Sequence, residues 1–87
     1  MNVKDFESVF THKQLETIAD NLRAYLANFS YLKIAKADYG KGFYVFADES
    51  RPESYTQYCY SLDYLNGWLY GAVQAVNGIM QPKIKEA

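Results

Sequence analysis

SLDYLNGWLYGAVQAVNGIM, residues 61 to 80, is the stretch that decides how this chain is read. Ser61 stands where a helix N-cap belongs, and Gly78 with Pro82 signals the stop. Between them Leu62, Leu65, Trp68, Leu69, Ala72, Val73, Val76, Ile79 and Met80 recur at helical spacing and are expected to be buried. Tyr60 and Leu65 are spaced as a hydrophobic staple at its entry. After Asp63, however, no ionisable group other than a tyrosine hydroxyl occurs until Lys83. A surface helix ordinarily turns charge to water, and this one offers Asn66, Tyr70, Gln74 and Asn77 instead. The expectation is that this flank touches something. A membrane does not fit, because residues 64 to 80 contain Asn66, Gln74, Asn77 and three glycines, whereas a span needs about 20 predominantly apolar residues.

Working back from Ser61, YTQYCY at Tyr55 to Tyr60 alternates as a strand. DESRPE, Asp48 to Glu53, is a polar loop in which Pro52 interrupts any central strand. Further back, YLKIAKA at Tyr31 to Ala37 and FYVFA at Phe43 to Ala47 flank a Gly-containing turn, Asp38 to Gly42, and read as a β-hairpin. Thr11 and Gln14 form a capping box, with Phe10 and Leu15 as its staple, so a helix is expected from His12 to about Asn28. Its apolar stripe is Leu15, Ile18, Ala19, Leu22, Leu26 and Phe29, with Lys13, Glu16, Asp20 and Arg23 outside it. Met1 to Phe10 reads as a short helical segment capped by Asn2, and Gln81 to Ala87 as a frayed tail.

The order predicts one α+β domain over residues 1 to 87, two-layer and α-β-β-β-α, in which a three-stranded antiparallel sheet packs against two helices. A chain of 87 residues leaves no second core. Nine Tyr, five Phe and one Trp exclude disorder on composition. Cys59 stands alone, so no internal disulfide forms, and it reads as a small buried hydrophobe. With no apolar leader after a basic start, the expected setting is cytoplasmic.

Chemistry is harder to find. Nucleophilic catalysis needs an activated Ser or Cys beside a base, and the single His12 opens a helix while Cys59 lies in a strand. One His and one Cys give no metal-ligand spacing, so neither a metal nor another cofactor is expected. Lys41 to Phe46 has a partial likeness to the aromatic strand motif of RNA-binding folds, in the wrong element order. A net charge of −1 disfavours a nucleic-acid partner, and leaves Lys33, Lys36 and Lys41 either as a weak phosphate-contacting edge or as protection of an edge strand. In the second helix Gly67, Gly71 and Ala75 recur every four residues. Internal glycines cost a helix about 0.5–1 kcal/mol each, so the stripe implies close approach of another backbone, within the chain or across an interface.

Tyr55, Tyr58, Tyr60, Tyr64 and Tyr70 crowd into 16 residues, too many for the core of so small a domain. Exposed tyrosines supply rigid contact area with a polar tip. With that run in view, Leu62 to Gly71, LDYLNGWLYG after an aromatic strand, resembles small accessory proteins of bacteriophages and prophages. Among these are compact α+β anti-CRISPR proteins, which block a host nuclease by occupying its surface. The resemblance implies a steric inhibitor acting in a host cytoplasm on a defence or nucleic-acid enzyme. Many such inhibitors are strongly acidic, and the near-neutral charge here departs from DNA mimicry. The expected partner-binding residues are Tyr55, Tyr58, Asn66, Tyr70, Gln74 and Asn77, with no catalytic residue. Pairing of two copies through residues 61 to 80 is the alternative, and a weak nucleic-acid module on the three lysines is a further one.

Overall fold

Two capping motifs set the helix positions in the computed structural model, which describes residues 2 to 78. Thr11 accepts from the Gln14 amide at 3.1 Å, and Gln14 returns the bond to the Thr11 amide at 2.9 Å. Helix α1, His12–Asn28, starts there. Ser61 accepts from the Tyr64 amide at 3.1 Å and opens α2, Leu62–Asn77. Gly78, with φ of 81°, ends α2 in the left-handed conformation that glycine adopts freely. Ahead of α1, a single 3-10 turn, Val3–Phe6, is capped by Asn2 and drops Phe6 into the core.

Three antiparallel strands, β1 (Lys33–Lys36), β2 (Phe43–Phe46) and β3 (Gln57–Cys59), follow one another in both sequence and space. Each is shorter than its run of strand-forming residues. β1 ends with its partner, because Lys33 already faces the last residue of β2, Phe46. β3 starts late because the Thr56 hydroxyl takes the Ala47 amide at 2.9 Å, in place of a ladder bond.

The pleat sends alternate residues to opposite sides. Ile34, Phe43, Val45 and Cys59 face inward and join Leu15, Ile18, Leu22 and Tyr25 of α1 and Leu65, Leu69 and Val73 of α2 in one cluster. Both helices therefore cover one side of the sheet, and the layers are those expected from the element order. Each fully buried Leu or Ile in that cluster contributes about 1.5–3 kcal/mol.

The stripe of α1 is rotated from the one expected. Tyr25 is its fourth buried residue, stacked on Phe29 at 4.3 Å and tilted against Trp68 at 5.7 Å. Ala19, Leu26 and Phe29 are half-buried. In α2, Leu62, Trp68 and Ala72 are half-buried and Val76 is 55% exposed, so its buried stripe is narrower than expected. Ile79, Met80, Pro82 and the tail from Gln81 lie outside the described residues. The second staple is not formed as expected: Tyr60 stays 62% exposed and packs its ring on Tyr64 at 5.0 Å.

Candidate interaction surfaces on the second helix and the outer sheet

The six residues singled out by sequence divide between two surfaces. Pleat alternation puts Tyr58 on the side of the sheet opposite Cys59, away from both helices. Tyr55 joins it there through the ring of Tyr44, which lies 4.7 Å from Tyr55 and 5.4 Å from Tyr58. Asn66, Tyr70, Gln74 and Asn77 run instead along one flank of α2. The sequence groups the six as one partner-binding set; the sheet itself separates its two halves.

On the α2 flank, exposure is uneven. Asn66 is half-buried, its side-chain carbonyl accepting from Nδ2 of Asn21 on α1 at 2.9 Å. That bond ties Asn66 to its own molecule. Gln74 is half-buried, Tyr70 is 50% exposed and Asn77 is exposed. Gly67 and Gly71 lie on the far side, where a built Cβ would meet nothing within 4 Å. Among the described residues, then, neither glycine serves close packing inside the chain.

The outer side of the sheet is aromatic and basic. Across it run Ala35, Tyr44 and Tyr58 in one register row and Lys33 with Phe46 in the next. The Lys33 ammonium sits 4.7 Å from the centre of the Phe46 ring, a cation–π distance. Tyr58 donates its hydroxyl proton to the Lys41 carbonyl at 2.6 Å, with its ring over Gly42. Gly42 has φ of 102°, and a Cβ there would lie 2.6 Å from the Cys59 carbonyl oxygen and 2.7 Å from the Tyr58 hydroxyl. Only glycine fits. Tyr44 and Gly42 are not among the six expected site residues; the pairing register brings Tyr44 beside Tyr58, and the close approach of the Tyr58 hydroxyl singles out Gly42.

Burial pushes the Cys59 thiol up to about 11, so it stays protonated at neutral pH. His12 is exposed, with Nε2 3.5 Å from a Glu16 carboxylate oxygen. Among the described residues no group of three His, Cys, Asp or Glu side chains is placed to hold a metal ion. No helix among them is long and apolar enough to cross a membrane.

No family model matches this chain, and no curated protein or solved structure does either. The surfaces themselves are what argues for a role. A hollow of about 620 Å³ is shared by the N-terminal turn and α1; Val3, Leu15 and Leu26 line it, and Lys4, Glu7 and Arg23 contribute charge of both signs. Asp48 opens the loop after β2. Hydrogen bonds from the Ser50 hydroxyl at 2.6 Å and amide at 3.0 Å hold its carboxyl below the usual carboxylate value.

Proposed function

We propose that this chain is a non-catalytic interaction module that docks another protein through the outer flank of α2, in the manner of a phage-type inhibitor. It would cover a working surface of a host defence or nucleic-acid enzyme by bulk rather than by chemistry. The observation that carries the reading is the exposure of Tyr70 and Asn77 on a helix whose one acidic or basic residue is Asp63, in its first turn. A half-exposed tyrosine flanked by amides and glycines offers flat area, a hydroxyl to bond, and little charge to desolvate. The exposed acids Asp48, Glu49 and Glu53 would speed encounter with a basic partner without forming the contact themselves.

The test is Tyr70→Ala. Truncating an anchor tyrosine costs about 2 kcal/mol of binding, roughly a thirtyfold loss, whereas an exposed position moves fold stability by about 0.5 kcal/mol or less. A partner captured from bacterial lysate by the native chain should therefore be released by this variant, at an unchanged melting temperature. A large loss of stability would instead assign Tyr70 to the core. The open glycines favour a second reading, a pair of copies meeting along Gly67 and Gly71. Sedimentation at two concentrations separates the two, since a monomer at both removes the pair.

A further inference from the structure

With both helices on the inner side, the outer side of the sheet is finished by its own side chains, and their chemistry is specific. Tyr44, Tyr55 and Tyr58 form a stepped row, their rings tilted by 45° and 50° to one another. Because they step rather than stack closed, ring surface stays open: Tyr55 is 54% exposed and Tyr58 37%. Beside them lies a hollow of about 440 Å³ that reaches the hairpin turn, with Lys41 on its wall and Tyr39, 98% exposed, at the turn. Lys33 is held on the same side by the Phe46 ring.

We propose that this side of the sheet is a short stacking platform for single-stranded nucleic acid, Tyr44, Tyr55 and Tyr58 receiving bases and Lys33 and Lys41 the phosphates. Aromatic rings interleaved with cations are what an unpaired strand requires, because every base has a flat face and every linkage a negative charge. Charge decides the occupant. On the outer side Lys41 stands at the turn and Lys33 beside Phe46, one cation toward each end of the sheet, whereas Lys36 shares the inner side with Phe43 and Asp38 lines the hollow with Lys41. Two cations serve only two or so linkages, and Asp48, Glu49 and Glu53 in the loop beyond Phe46 close the site at that end, which limits it to a few nucleotides. A duplex cannot use the rings, since its bases are already stacked. This surface is separate from the α2 flank, so the two can fail independently.

The experiment is fluorescence anisotropy of a labelled hexathymidylate titrated with the full chain, alongside a mixed-sequence duplex. Two phosphate contacts at about 0.7 each predict a log–log salt slope of about −1.4, close to a sevenfold loss between about 50 and 200 mM salt. Lys41→Gln should lower the slope by about 0.7. Tyr55→Ala, in a loop and clear of the core, should weaken the single strand roughly tenfold or more with an unchanged thermal melt. Failure to bind at the lowest salt overturns the proposal. So does equal affinity for the duplex, or an oligonucleotide affinity indifferent to Tyr55→Ala. If Tyr55→Ala spares the oligonucleotide and releases a captured protein, the platform belongs to a protein and the proposal falls.

Discussion

Helices α1 and α2 are close in length and bury comparable stripes against the same side of one sheet, yet their outer halves have little in common. α1 shows water an ordinary charged face, with Asp20 and Arg23 paired at 3.0 Å and Glu16 beside His12 at 3.5 Å. Contacts so exposed add little to stability; their work is solubility. Beyond Asp63, α2 shows tyrosine, amides, glycines and Val76. Because both helices meet the same core, packing cannot account for the contrast. The docking role proposed for α2 would account for it.

The largest effect should fall where the two helices agree. Leu22→Ala and Leu69→Ala remove fully buried side chains, one from each stripe, and each should cost about 2–5 kcal/mol in urea denaturation. A cost at Leu69 near zero would mean that α2 is held by something other than this core. Next come the caps. Thr11→Ala breaks a reciprocal box, whereas Ser61→Ala breaks one bond; both should cost between about 0.5 and 2 kcal/mol, with Thr11 the larger. The reverse order would show that α2 depends more on its cap than its packing implies. Smallest are Gly67→Ala and Gly71→Ala, which open space should render stabilising by about 0.5–1 kcal/mol each in a monomer. Destabilisation on thermal melting, at a concentration where sedimentation shows pairing, would place a second backbone against that stripe.

Helix starts and element order were legible because each rests on local chemistry, Thr11 with Gln14 and Ser61 with the Tyr64 amide. Strand ends were not. They depend on which residue faces which across the sheet, and the Thr56 hydroxyl intervening at Ala47 leaves no periodic trace. Tyr25 falls three residues after Leu22, a helical step that Leu26 fits as well, and its ring contacts with Phe29 and Trp68 decide between them. For the candidate site, the crowding of tyrosines was visible and their distribution was not. Tyr58 and Tyr70 separate because a sheet intervenes, and the partnership of Tyr44 with Tyr58 needs the pairing register to be seen.

The amide pair of Asn21 and Asn66 sits at the seam between the helices. An apolar stripe is forgiving: it can roll through a few degrees about the helix axis and still bury nearly the same area. A directional bond from one fixed amide to another cannot roll without lengthening. Together with the Tyr25–Trp68 ring contact, the amide pair therefore acts as a detent on the roll of α2, and so helps select which of its residues look outward.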